Sequence, residues 1–185
     1  MDGLEAKTES RRKQMTKLLI RTALIELMQE KPFERITIKE LCECADVNRT
    51  TFYLHYADQR AVLNDVKEDA KQKTVSIMQG SGLSHDIPDS VIRFLNYVRE
   101  NDKLFRILFM NDEGDRFRYM MIEAVTKELA PHFPSSGDPQ RDAFGAAFIL
   151  SGSMSIIIEW MRSDYLMPVQ ELADYLFAIT RSVRW

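Results

Sequence analysis

Residues 36–56 read Ile36-Thr37-Ile38-Lys39-Glu40-Leu41-Cys42-Glu43-Cys44-Ala45-Asp46-Val47-Asn48-Arg49-Thr50-Thr51-Phe52-Tyr53-Leu54-His55-Tyr56. Local signals set the backbone here. Thr37-Ile38-Lys39-Glu40 has the spacing of a capping box, in which the threonine caps the backbone and the glutamate reaches back, so a helix opens at Thr37 and runs to about Ala45. Ala45-Asp46-Val47-Asn48 makes a tight turn, with Asp46 in the left-handed conformation that Asp tolerates better than most residues. Asn48 is a preferred N-cap. Val47 and Phe52 fall at the two positions of a hydrophobic staple. A second short helix therefore runs from Arg49 to about Tyr56. Two short helices joined by a three-residue turn, behind a longer helix, make a helix-turn-helix.

The longer helix spans 8–30. Ile20, Ala23, Leu24, Leu27 and Met28 form one apolar stripe at helical spacing, and Pro32 stops it. Asp58 caps a fourth helix that runs toward Met78, and Gly80-Ser81-Gly82-Leu83-Ser84 breaks the pattern. Further helices are expected near 88–100, 102–110, 115–133, 139–163 and 168–184, with Pro88, Pro139 and Pro168 close to three of the starts. The last has the clearest stripe: Val169, Leu172, Ala173, Leu176, Phe177, Thr180 and Val183. No alternating apolar pattern is long enough for a strand. The expected fold is all-α: a three-helix unit over 8–57, a connecting helix over 58–79 and a larger helical unit over 80–185.

Composition narrows the function classes. The chain has 185 residues, 45% hydrophobic and 29% charged, with 7 Gly and 6 Pro, which describes an ordinary globular protein. Net charge is −3, so no global positive field marks a polyanion binder. The balance is local: residues 7–60 hold 11 Lys and Arg against 8 Asp and Glu, residues 71–185 hold 13 against 15. The two cysteines, Cys42 and Cys44, make no disulfide framework and point to different faces of a helix, so a reducing cytoplasm is expected. The uncharged run from Ala143 to Ile158, 16 residues, is short of the roughly 20 a membrane helix needs; no signal peptide or membrane contact is expected.

On the second short helix, Phe52 and Tyr56 form the inward stripe. The other side shows Arg49, Thr50, Tyr53 and Leu54. An exposed helix face ordinarily favours Glu, Lys and Ala. These residues offer hydrogen bonds and apolar surface instead, which suit base edges, phosphates and the thymine methyl group. The first turn, Arg49-Thr50-Thr51, holds a cation and no acid, which fits an external anion at the helix N-terminus.

The stretch from Ile36 to Tyr56, above all Thr-Phe-Tyr followed by His and an aromatic, resembles the DNA-binding signature of the tetracycline-repressor (TetR) family of transcriptional regulators, and the likeness covers about residues 8–65. Residues 152–161, Gly-Ser-Met-Ser-Ile-Ile-Ile-Glu-Trp-Met, are similar to the closing helices of a subgroup related to dihydroxyacetone-kinase regulators. The resemblance implies that Thr37 and Lys39 touch backbone or bases, that Arg49, Thr50 and Tyr53 reach base edges or nearby phosphates, and that Thr51 and His55 anchor phosphate. With Asn48 and Leu54 they complete the expected contact set. Many members have Gly where Asp46 stands, and Lys where Gln59 stands. The lysine–phosphate contact then falls to Arg60 or is absent.

The resemblance further implies an effector pocket, for which Phe94, Tyr97, Phe105, Phe109, Phe117, Met120 and Met121 are the candidates; an ordinary core is the competing reading. Gly145 and Gly152, seven apart, allow close helix approach. With Ile149, Ile156, Leu172, Leu176 and Phe177 they suit a two-fold interface between subunits, while packing within one chain fits the pattern equally. The expected protein is a homodimeric cytoplasmic regulator, a repressor released from a palindromic double-stranded operator by a small-molecule effector; the alternative is an activator or coactivator controlled by a protein partner. An enzyme is not expected, since no acid, base, nucleophile or metal set converges. His55 lacks a second ligand at compatible spacing, His85 and His132 read as solvent-facing, and Asp112-Glu113-Gly114-Asp115 as a solvated turn. No cofactor or metal is expected.

Overall fold

The computed structural model describes residues 2–79, 87–110, 114–129 and 135–182. His85, His132, the 80–84 break, Asp112, Glu113 and Val183 lie outside the described residues. Nine α-helices and no strand occur among the described residues: α1 (Asp2–Glu30), α2 (Ile38–Cys44), α3 (Arg49–His55), α4 (Gln59–Gln79), α5 (Ile87–Glu100), α6 (Asp102–Met110), α7 (Gly114–Leu129), α8 (Pro139–Arg162) and α9 (Val169–Ser182). A single 3-10 turn, Phe33–Arg35, follows α1. The chain divides into two compact units, Met1–Asp69 and Ala70–Trp185. The division falls inside α4, the helix that the sequence reading takes as a connector over 58–79.

In the N-terminal unit α1 packs on both α2 and α3. Ile20 and Leu24 of α1, Ile36, Leu41 of α2, Phe52 of α3 and Leu63 of α4 are all fully buried. The helix ends follow the local chemistry. Glu40 N–H donates to Thr37 Oγ1 at 3.3 Å and Thr37 N–H to Glu40 Oε2 at 2.9 Å, completing the capping box. Asp46 has φ of 51°, as its place in the turn required. Val47 N–H donates to Cys42 O at 2.9 Å and Asp46 N–H to Glu43 O at 3.4 Å, the two bonds of a Schellman motif that closes α2. Asn48 Oδ1 accepts from Thr51 N–H at 2.7 Å, and Asp58 Oδ1 from Ala61 N–H at 2.7 Å.

In the C-terminal unit α5 packs on α9, α7 on α8, and α6 touches α5, α7 and α8. Asp138 caps α8, with Pro139 as its first residue. Phe105 and Phe109, four apart on α6, stack at 5.4 Å; Tyr97 and Phe94 meet Phe105 edge-on and Phe117 meets Phe109. Arg106 ties α6 to the turn after α8: it donates to Met161 O at 2.8 Å and to Asp164 and Asp102 at 2.7 Å each. That turn holds Asp164 and Tyr165 at φ of 50° and 60°, which the Arg106 bonds and the Tyr165–Asp102 hydrogen bond keep in place. By length and composition alone α8 could cross a bilayer, because the whole helix is 24 residues and not only the uncharged run. One face of it is buried on its neighbours, with Ala146, Ile149, Leu150, Met154, Ile157 and Ile158 inward.

Gly114 begins α7 against the end of α6. A Cβ added there would lie 2.5 Å from Phe109 O, and Arg118 donates to the same carbonyl at 2.9 Å. Backbone cannot yield as a side-chain tip can. Gly114→Ala is therefore expected to lower the unfolding free energy by about 1–3 kcal/mol, read from a denaturant midpoint; an unchanged midpoint would show that the α6–α7 approach relaxes freely.

Candidate nucleic-acid interface

The geometry of α3 follows from what docks it. Phe52 is 0% and Tyr56 5% exposed. Their rings sit 6.1 Å apart, so the helix is held along one narrow line. Beyond the ring, Tyr56 OH donates to Asp65 Oδ2 at 2.5 Å. Lys17 Nζ reaches the same carboxylate at 3.4 Å and lies 5.2 Å above the Tyr56 ring. Arg21 lies 3.9 Å from Asp65 and pairs with Asp69 at 3.0 Å. Burial pushes the Tyr56 phenol well above its ordinary range, and the hydrogen bond to Asp65 adds to it. For Asp65 burial acts to raise the carboxyl, but the Tyr56 hydroxyl and the charges of Lys17 and Arg21 outweigh it and hold the group below its usual value. This network joins α1, α3 and α4 around the end of α3. Its signal was present in sequence: Lys17/Arg21 and Asp65/Asp69 are opposite charges, each pair spaced by four.

With its inner line fixed, α3 turns Arg49, Thr50, Tyr53 and Leu54 outward, all exposed. Tyr53 is 57% and Leu54 79% exposed. Thr51 and His55 are half-buried at the flank. Asn48 is exposed, but its side-chain oxygen serves the helix cap. On α2, Lys39 is exposed with Glu43 at 3.8 Å, while the Thr37 hydroxyl donates to Glu40 Oε2 at 2.8 Å and caps the helix as well. Lys31 and Thr37 hold the Glu40 carboxyl down at about 2. Thr37 and Asn48 thus bring a backbone function that sequence alone did not weigh against contact. Arg60 is exposed, its guanidinium 4.3 Å from the Phe33 ring centre, a stacking that the sequence reading missed. Gln59 donates to Ile36 O at 3.3 Å, so the residue in the place of the family's lysine serves the protein's own backbone. Cys42 is buried and Cys44 exposed, on different faces as expected.

The second candidate site is an apolar cavity of about 100 Å³ in the C-terminal unit. Met78, Phe94, Ile122, Leu150, Met154 and Phe177 are among its walls, and Ser153 and Thr180 are its polar members. Of the seven aromatic and methionine candidates only Phe94 lines it. Phe105, Phe109, Phe117 and Met121 are fully buried in the core, Tyr97 packs on Phe105, and Met120 is half-buried on α7 outside the cavity. Phe105, Phe109, Phe117 and Met121 fit the competing reading of an ordinary core, where neighbouring rings fill the space around them.

The subunit candidates divide between the interior and the surface of the unit. Leu172 and Leu176 are buried within the unit, where α9 packs on α5. Ile149, also buried, lines the cavity with Leu176 and half-buried Phe177. Gly145 and Ile156 are half-buried. Gly152 is exposed, with nothing within 4 Å of where its Cβ would be. It shares an outward stripe of α8 with Phe144, Phe148, Ser151 and Ser155, at 66% exposure for Phe144 and 67% for Phe148. The sequence reading passed over both phenylalanines, although 144, 148, 151, 152 and 155 have helical spacing of their own.

Comparison with known proteins bears on both units. A family model described as bacterial regulatory proteins, tetR family, matches residues 20–66, and one described as transcriptional regulator C-terminal region matches residues 85–182. The chain is 23% identical over 172 residues to the uncharacterized HTH-type transcriptional regulator YxbF of Bacillus subtilis strain 168, covering 90% of this chain and 45% of that protein. It thus spans less than half the length of that relative. Among solved structures, a TetR transcriptional regulator from Streptococcus agalactiae 2603V is 25% identical with a TM-score of 0.72, over 95% of this chain and 98% of that one. The dihydroxyacetone kinase operon activator DhaS is 16% identical with a TM-score of 0.64, over 90% and 94%, a likeness of fold alone.

Tyr56→Phe deletes the hydroxyl that holds Asp65 down. A carboxyl with a depressed folded pKa adds stability that is present above the unfolded value, about 3.9, and is lost as pH falls through the folded one. The variant is expected to unfold about 1–2 kcal/mol more easily at pH 7. The gap from wild type should narrow below about pH 4, followed by denaturant titrations at several pH values. An equal gap at pH 3 and pH 7 would remove Asp65 from the account.

Proposed function

The chain belongs to the TetR family of transcriptional regulators, and from that premise we propose that it is a cytoplasmic homodimer that represses transcription at a palindromic operator and is released by a small apolar effector. The observation that carries the DNA-binding reading is the outer face of α3. Arg49, Thr50, Tyr53 and Leu54 stand in solvent on a helix whose other side is locked. Arg and Thr supply donors to base edges and phosphates, Tyr and Leu supply apolar contact. Lys39 and Arg60 supply phosphate contacts beside that face, the Arg60 guanidinium lying 4.3 Å from the Phe33 ring centre.

The outward stripe of α8 supports the dimer. Phe144 and Phe148 are large apolar side chains in water, and Gly152, Ser151 and Ser155 beside them let a second helix come close. A two-fold dimer matches a palindromic operator whose half-sites lie one helical turn apart or a multiple of it. The cavity supports the effector. Its walls carry no charged group, so the ligand is neutral. A second reading has one observation in its favour. About 100 Å³ is small beside the roughly 300–1,000 Å³ of ordinary ligand sites, and control by a protein partner would need no such pocket.

In a mobility-shift titration against a selected operator, Arg49→Ala and Tyr53→Ala are each expected to weaken binding by about 5- to 100-fold, with wild-type affinity falling steeply with salt. Phe148→Glu should leave monomers that fail to shift the palindrome. Full-strength specific binding by both α3 variants would refute the assigned roles. For the effector, compact neutral apolar compounds should raise the melting temperature by mass action and release the operator. Stabilisation by none of them, together with a stable heteromer on co-purification, would favour the partner-controlled reading.

A further inference from the structure

We propose that Leu54 reads a thymine C5 methyl group in each half-site, which makes it the apolar specificity determinant of this protein. The inference rests on the DNA-binding reading above and adds the base that the site demands. A lone leucine in solvent says nothing by itself, because soluble proteins expose many. The position of Leu54 is what matters. It lies two residues from Phe52 and two from Tyr56, the pair that docks α3. At roughly 100° per residue that puts it about 160° around the helix from Phe52. Leu54 therefore sits on the outermost line of α3, opposite the docked edge, and it is 79% exposed. Thr50, four residues earlier, stands on the same line, so the leading ridge of the helix is a threonine followed by a leucine.

That ridge constrains what it can meet. Arg49 and Tyr53 lie to one side of it, Thr51 and His55 to the other, and these carry the polar groups suited to phosphates and base edges. Leu54 has neither donor nor acceptor. Against a phosphate it would desolvate an anion with nothing in return. Against the major-groove edge of G, C or A it would cover donors or acceptors that water had satisfied. The thymine methyl group is the one alkyl group that projects from the major-groove edge. A leucine at the most advanced point of the helix gains by burying it.

The experiment uses the full-length chain. An operator is first selected from random duplex DNA. Each thymine is then replaced by uracil, which deletes the methyl and keeps every hydrogen bond. Replacing the right thymine in both half-sites is expected to weaken binding roughly 15-fold, about fourfold per methyl, and other thymines should matter little. Leu54→Ala should lose a similar factor on the thymine operator and become indifferent to uracil at that position, a coupling that a double-mutant cycle isolates. Because Leu54 is exposed, the variant should melt as wild type does. Uracil tolerated at every position, or a Leu54→Ala protein as sensitive to uracil as wild type, would overturn the proposal. Failure to select any sequence would instead count against the DNA-binding reading beneath it.

Discussion

The docking of Phe52 and Tyr56 is the contact on which the N-terminal unit depends. Helix α3 has only seven residues, too few to be stable alone. Burying one large aromatic side chain contributes about 1.5–3 kcal/mol, and here two lie on adjoining turns. The consequence is directional as much as energetic. Once those two rings are inside, the azimuth of every other residue on α3 is set, and Arg49, Thr50, Tyr53 and Leu54 have no option but solvent. The Tyr56 hydroxyl then fastens the end of the helix to α4 through Asp65, and Lys17 and Arg21 balance that carboxylate from α1.

Around this anchor the helix ends are closed by short polar side chains. Thr37, Asn48 and Asp58 each satisfy an amide that would otherwise be orphaned, and Asp46 bends the chain between α2 and α3. The unit is thus rigid where α3 must be aimed and unprotected where α3 faces outward. Tyr53 meets the Phe52 ring edge-on at 5.6 Å, while Leu54, 79% exposed, adds little to folding stability. That cost is the familiar mark of a surface kept for a ligand.

The C-terminal unit divides its apolar residues into three roles that look alike in one dimension. Phe105, Phe109 and Phe117 form a close-packed run of rings. Phe94, Met154 and Phe177 line a cavity. Phe144 and Phe148 stand outside. What separates them is which neighbour lies opposite. α6 is hemmed in by α5, α7 and α8, so its rings meet rings. The cavity forms beside the end of α4, where Met78 and small residues such as Ser153 leave space.

Much of this was legible from residue order, because it rests on interactions within a few positions. The capping box at Thr37, the left-handed Asp46, the caps at Asn48 and Asp58 and the inward pair on α3 all arise from backbone chemistry acting over two to five residues. So did the helix content and the family likeness. The contacts between distant residues were not legible. The Tyr56–Asp65 bond, Arg60 on Phe33 and Arg106 on the turn after α8 join residues whose nearness depends on how helices cross. The same is true of the aromatic assignments. A stripe at helical spacing says that a face is apolar; whether that face meets a packed ring, a void or water depends on the helix placed across from it. Leu172 and Leu176 entered the core and Phe148 the surface for that reason alone.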